Sequence, residues 1–474
     1  MSFHFVDNGA ANTPSGRRAI RRHVMKGKNA GRKIEGRGRK NAPPETDDFF
    51  GNVLRPRGED REAIETVKDA LARPDGTKLL FPEIPAMDVL SPSVLTGSEF
   101  AYFSFPVQFT ASMRYLVYQF HSAISDVIYP HAFCRPAKGA AVPWFEYMVS
   151  DQAFLHCLLA MAATYLTLFH KPGSETLEAT RHWSQAIQLI NRKLSQNVDL
   201  SDSTLAVVLS LAIHSNLMGE PSRSSIHLDG LHHILSLRSD GLDSLRDINR
   251  SLAHKIYRTD IDLALREGTL TRYGALRLVT STTLGKTDRP LAYPLNQTCA
   301  SLKQFTREIM AFCRRPGKVK TAGLDYQDFL IWLWQGLLDF APLRSERPQN
   351  PLDDLWHLAL LAFLATVAHP LECLRDVHTV LLQEMLRDRV ERDVLRPLGA
   401  DYGPLRFWVG FMCGLLTSER PEMHLCEHMK TLASELDLKS WEDAKACLQS
   451  FPYIAVAHGK PGKEIWDSIM PPVS

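Results

Sequence analysis

From about Val107 onward the chain repeats apolar residues at the three-to-four spacing of a helix and almost never alternates apolar with polar residues as a strand does. That habit constrains the fold more than any other feature. Residues 153–169 set the pattern. Leu155, Leu158, Leu159, Ala162, Leu166 and Phe169 keep one stripe, and further apolar residues lie off it, as in a helix buried on all sides. His156, Thr164 and Thr167 interrupt the segment, so it reads as a central core helix. No uninterrupted apolar run of about 18 residues exists, and no transmembrane helix is expected. Helices are also predicted over 182–194, 203–217, 224–238, 251–266, 325–340, 352–367, 371–392, 405–416, 424–436 and 440–451. No βαβ pattern can be drawn, which argues against Rossmann, P-loop and TIM-barrel folds. The expected architecture is all-α, an irregular multi-helix bundle of ten or more helices without a fixed-period repeat, with a Pro- and Gly-containing connector near 286–297.

Three regions are expected. Residues 1–46 are rich in Gly, Arg, Lys and Asn and lack apolar periodicity, the composition of a disordered tail. Residues 47–106 form a linker with a short amphipathic helix at 60–72, ended by Pro74-Asp75-Gly76, and a connector carrying Pro82, Pro85, Pro92 and Pro106. Residues 107–474 form the helical domain. The first ten residues lack a basic stretch followed by an apolar one, so no secretory signal is expected.

The formal net charge of +2 hides an asymmetry. Residues 17–40 hold eleven Lys and Arg (Arg17, Arg18, Arg21, Arg22, Lys26, Lys28, Arg32, Lys33, Arg37, Arg39 and Lys40) against Glu35, a net of +10. The remainder holds 44 basic and 52 acidic residues, a net of −8. A basic tail on a mildly acidic body suits two acidic partners, a nuclear import receptor and nucleic-acid phosphates. Gly36-Arg37-Gly38-Arg39-Lys40 is close to an arm that enters narrow A·T minor grooves, with Lys40 where a Pro usually follows. The bland alternative is a solubilising tail with no specific reader.

Eight cysteines sit at 134, 157, 299, 313, 373, 413, 426 and 447, and the nearest two are 13 apart. No Cys-x-x-Cys occurs, which removes the common zinc-finger and thioredoxin-like patterns. Such cysteines read as reduced, half-buried apolar residues. Gly285-Lys286-Thr287 resembles the end of a phosphate-binding loop, but the Gly needed five positions earlier is Thr280. Asp353-Asp354 and Asp47-Asp48 lack the third acid of a magnesium motif, and the first pair suits a helix N-terminus. His424 and His428 share a helical face from which Cys426 points away, and two ligands do not close a zinc site. Among His227, His232 and His233, the spacing allows Asp229 to pair with His233. No cofactor and no catalytic residue is implied.

Several segments together resemble the fungal-specific transcription factor domain, the regulatory half of fungal zinc-cluster activators. They are Pro143-Trp144-Phe145-Glu146, the run from Asp151 to Ala163, Arg181-His182-Trp183-Ser184-Gln185-Ala186-Ile187, His227-Leu228-Asp229-Gly230-Leu231, Ile234 to Leu242, and Arg258-Thr259-Asp260-Ile261-Asp262-Leu263-Ala264. The likeness covers about residues 91–262 and extends more loosely to the C-terminus. The tail, through His23-Val24-Met25-Lys26-Gly27-Lys28-Asn29-Ala30-Gly31-Arg32, resembles members that lack the zinc cluster, and no cysteine precedes Cys134. The resemblance implies a nuclear, non-enzymatic regulator of transcription, possible control of a metabolic or biosynthetic pathway, and DNA reached through the arm or through a DNA-binding partner protein. Homo-oligomerisation is compatible with it, and no membrane partner is expected. Two rivals stay open, an all-helical metabolic enzyme and a scaffold that kept the fold without DNA function. Structurally, Gly230 allows close packing or a bend, Asp240-Gly241 a turn, and Asp260 a pairing with a base or a cap on a backbone amide.

Overall fold

The computed structural model describes residues 105–120, 134–135, 142–170, 176–196, 200–238, 241–274, 290–314, 321–368, 372–417 and 422–470. The basic tail and nearly all of the connector before Val107, with Asp47-Asp48 and Gly285-Lys286-Thr287, lie outside these residues.

The greasy segment around Leu159 is helix α3 (Gln152–His170), preceded by α1 (Ala111–Gln119) and α2 (Val142–Ser150). Asp151 starts α3, its Oδ1 accepting from the amides of Ala153 at 2.9 Å and Phe154 at 3.3 Å, while Lys193 holds its Oδ2 at 2.5 Å. Lys193 lies on α4 (Leu177–Gln196), which packs along α3. Next come α5 (Asp202–Leu217) and α6 (Pro221–Leu237), closely packed on each other and joined through Gly219 at φ +79°. Gly241, at φ +60°, opens α7 (Gly241–Ile248), while Asp240 lies outside the described residues; Gly230 lies within the continuous helix α6. Then follows α8 (Arg250–Glu267).

The second half contains α9 (Ala300–Cys313), α10 (Gly323–Phe340), α11 (Pro351–Ala368), α12 (Glu372–Glu391), α13 (Gly403–Leu416), α14 (Met423–Glu435), α15 (Trp441–Leu448) and α16 (Ala455–Ile469). The fold is all-α, with sixteen α-helices among the described residues. Two-residue strands, β1 (Cys134–Arg135) and β2 (Thr321–Ala322), pair in parallel, Cys134 opposite Thr321.

Helix α11 is the axis of the second half, with every residue from Leu352 to Val367 buried. Among the described residues it is the helix long and apolar enough to cross a membrane, and 89% of that stretch is covered by protein. Its Trp356 ring packs against Trp408 of α13, with centroids 5.0 Å apart and planes tilted by 44°. Both indole N–H groups are satisfied, Trp356 donating to Thr306 Oγ1 at 2.8 Å and Trp408 to Pro452 O at 2.9 Å. A buried aromatic with a polar tip needs such partners. Close approach is also required at Gly336, where a Cβ would sit 2.5 Å from the Phe305 ring of α9.

The cysteines whose side chains are described behave as small apolar residues: Cys157 and Cys413 are buried, and Cys299, Cys313, Cys426 and Cys447 are half-buried, none of the six in a disulfide. Burial pushes the Cys313 and Cys413 thiols up to about 12, far from nucleophilic thiolate chemistry.

Candidate functional site

Helix α8 touches more of the molecule than its length suggests. On one side it packs against α5, α6 and α7, and on the other against α10 and α12. Its apolar stripe, including Leu252, Ala253, Ile256, Ile261, Leu263 and Ala264, is buried. Polar residues at its two ends and its middle make a ladder of ionic contacts that joins the first half of the chain to the second.

The start of α8 is set by Asn249, whose side chain caps the helix by accepting from the Leu252 amide at 3.3 Å. The same side chain donates from Nδ2 to Tyr147 Oη at 2.6 Å and Asp202 Oδ2 at 2.9 Å. Arg238 donates to the other oxygen of Asp202 at 2.6 Å. One turn further, Arg250 and His254 face Asp328 of α10. Asp328 is buried and receives His254 Nε2 at 2.6 Å, Arg246 Nη2 at 2.8 Å and a still shorter contact from Arg250 Nη2. Arg250 also reaches Asp325 at 2.7 Å. Burial by itself would raise the Asp328 carboxyl, but hydrogen bonds from His254, Arg246 and Arg250 outweigh it and hold the group far below the usual carboxylate range. His254 is pushed down by burial and by Arg250 and Arg246, against the pull of Asp328. It therefore sits neutral, donating from Nε2, and its buried Nδ1 has no hydrogen-bond partner among the described residues.

The far end is built differently. Asp260 is 1% exposed. Its Oδ2 accepts from the amides of Arg272 at 2.6 Å and Tyr273 at 3.1 Å, and Arg272 Nη1 reaches Oδ1 at 3.3 Å. Both roles expected of Asp260, pairing and capping, are realised together. Burial raises its carboxyl above the ordinary value, despite those amides and the guanidinium. Arg272 in turn donates through Nε to Asp229 Oδ1 at 2.8 Å and contacts Ser225 on α6. Asp229, which spacing offered to His233, accepts from Arg272, because the loop after α8 folds back over α6. Gly268 ends α8 at φ +71°, and a Cβ there would lie 2.7 Å from Arg344 Cγ and from Leu381 Cδ2. Its carbonyl accepts from Arg344 N at 2.9 Å, and Arg266 donates to Asn216 O at 2.5 Å.

Asp353 and Asp354 stand in the first turn of α11, as a helix N-terminus would have them. Asp353 accepts from the Cys299 amide at 2.9 Å, while Asp354 holds Arg347 and Arg389, each at 2.8 Å. His424, Cys426 and His428 lie on α14, and no group of three or more potential metal ligands occurs among the described residues. The eleven tail cations, Arg17 to Lys40, lie outside the described residues. Sequence reasoning missed Asp328, Arg246, Arg250 and His254. The available signal was Arg250, His254 and Arg258 at successive four-residue steps opposite Asp325 and Asp328 three apart, a charge match between helices far apart in sequence.

What this arrangement can do is transmit. Its polar contacts tie α7 and the start of α8 to α10 through Asp325 and Asp328, and the loop after α8 to α6 through Arg272, while α12 meets α8 by packing. No curated protein and no solved structure matches the chain. The model of one family does match, over residues 115–263, from within α1 into α8. Over those residues the resemblance read from the sequence holds, and the segment is similar to the family described as the fungal specific transcription factor domain.

Proposed function

We propose that the chain is a nuclear regulator of transcription whose helical body is its regulatory part and whose basic tail supplies import and phosphate contact. The observation that carries this reading is the family match across α1–α8, a family of transcription factor domains and not of enzymes. The ionic joint supports a regulatory role, since it couples the matched segment to the helices beyond it. Residues 1–133 hold no cysteine and so supply no zinc-cluster ligand. DNA is then reached weakly through Arg37, Arg39 and Lys40, or through a partner protein with its own sequence preference. Arg17, Arg18, Arg21 and Arg22 serve import, with Lys26, Lys28, Arg32 and Lys33 extending the field. Control of a metabolic or biosynthetic pathway is the role this reading assigns.

The test is chromatin immunoprecipitation of the tagged full chain beside two variants. Replacing Arg17, Arg18, Arg21 and Arg22 with Ala should lower nuclear accumulation. Replacing Arg37, Arg39 and Lys40 with Ala should leave accumulation intact and reduce occupancy. A full chain that never enriches on chromatin would defeat the regulator reading, and unchanged import of the first variant would defeat the import assignment.

A further inference from the structure

Helix α9 lies outside the matched segment and carries charges that have no partners. It packs against α10 and α11 through Leu302, Phe305, Thr306 and Ile309. On its outer side stand Lys303, Arg307 and Arg314. Helical spacing places these three within an arc of about 40° and along roughly 16 Å of axis. Arg307 and Arg314 are exposed and Lys303 is half-buried. None of them makes an ion pair or side-chain hydrogen bond among the described residues, whereas Arg250 of α8 and Arg389 of α12 hold carboxylates. The acid of this helix, Glu308, lies about 100° around from Arg307, and burial raises its carboxyl. The sequence continues Arg315-Pro316-Gly317-Lys318-Val319-Lys320, so residues 303–320 hold six cations against one acid, a net of +5.

We infer that the outer face of α9, through Lys303, Arg307 and Arg314, is a second contact surface for the phosphate backbone of duplex DNA, separate from the tail. An unpaired row of cations on an otherwise acidic body attracts a polyanion. A membrane surface fits poorly, because the large apolar side chains of α9 are turned inward and none flanks the cations to enter a bilayer. An acidic protein loop offers a few charges at fixed places. A duplex offers one charge per ~1.7 Å of axis, so three cations spread over 16 Å each find a phosphate. The choice of DNA among polyanions rests on the transcription reading above; the unpaired cations do not.

The experiment measures binding of the full chain to a mixed-sequence 30-base-pair duplex by fluorescence anisotropy from about 50 to 300 mM salt. Three proteins are compared: wild type, the K303Q/R307Q/R314Q variant, and the R37Q/R39Q/K40Q variant. Removing three phosphate contacts should lower the slope of log K against log salt by about 2.7 and weaken binding at least tenfold near 100 mM. The tail variant should lose its own share independently, leaving the α9 contribution visible. Because the three side chains are surface groups, melting temperature should stay within a degree of wild type. The α9 surface is overturned if the α9 variant binds DNA as wild type does, if wild type shows no binding, or if the three-residue dependence appears with duplex RNA or anionic vesicles and not with DNA. Failure of the tail variant alone would count against the arm and leave α9 standing.

Discussion

The two ends of α8 use the same chemistry to opposite effect. At the Asp328 end, two guanidinium groups and an imidazole converge on one carboxylate, and the charged form wins over burial. At the Asp260 end the carboxylate is nearly sealed, with one guanidinium at 3.3 Å and two backbone amides, and burial wins. The difference teaches that depth does not decide how a buried acid behaves; what matters is how many full positive charges reach it compared with how much water it has lost. The Asp328 end is an electrostatic clamp between helices distant in sequence. The Asp260 end is mainly a backbone fastener that shapes the loop after α8.

The comparison can be broken first by truncating each acid. Asp328→Ala removes the carboxylate that Arg246, Arg250 and His254 share, leaving Arg250 with Asp325. The range for breaking a buried pair is about 3–5 kcal/mol, and the lower end, about 3 kcal/mol, is expected because Arg250 is 32% exposed and can rehydrate. Asp260→Ala leaves two amides without an acceptor and should cost about 2 kcal/mol. Urea unfolding monitored by circular dichroism ranks the two, and the reverse order would refute the clamp-and-fastener distinction. Gly268→Ala adds strain to a left-handed residue and a clash with Arg344 and Leu381. It should cost more than the ~1 kcal/mol of an ordinary helix-end glycine change, seen as a lowered denaturation midpoint.

Acidity sharpens the contrast. His254 stays neutral in the fold, while an unfolded imidazole takes up a proton near pH 6.5. Stability contributed by this group is present above that value and is lost as pH falls through it, by up to ~1.4 kcal/mol per pH unit. His227, lowered to about 4, and His458, lowered to about 3, act in the same sense and for the same first cause, burial. A His254→Gln variant should lose stability less steeply between pH 6.5 and 5. Asp260 works with the opposite sign. Its raised value means that it takes up its proton more readily folded than unfolded, so its unfavourable contribution grows as pH rises above the ordinary carboxylate value near 4. Asp260→Asn should therefore gain stability relative to wild type as pH rises across that interval. The smallest effect belongs to a pair on neither end: Lys463→Ala breaks the exposed Lys463–Asp467 bridge of α16 and should change stability by less than about 0.5 kcal/mol.

The helical period made most of the body legible. The predicted spans at 203–217, 325–340, 352–367 and 405–416 fall within two residues of α5, α10, α11 and α13 at each end. The period alone did not reveal α16, because His458-Gly459-Lys460-Pro461-Gly462 reads as a break. Packing overrides it. A Cβ at Gly462 would meet the Phe411 ring at 2.4 Å, and buried His458 accepts from the Ile454 amide at 3.1 Å and lies 3.0 Å from Thr366 Oγ1. Helix α9 escaped notice for another reason, since its charged outer residues dilute a short apolar stripe. The joint was half legible. Asp260 stood out within a segment that carries the resemblance, and its partners, Arg272 and Tyr273, lie only 12 and 13 residues on. Asp328 could not, because its partners lie 74 to 82 residues away and only tertiary packing brings them together.

The matched segment ends at residue 263, four residues before α8 does, and α8 is the helix that clasps the second half of the chain. The edge of the matched segment is therefore not a seam in the structure. Cutting there would bare the Asp328-facing groups and the stripe that meets α10 and α12. Moving this segment intact would demand that α10 and α12 travel with it. What can be separated without loss is the segment together with the helices it leans on, a larger unit than the matched residues.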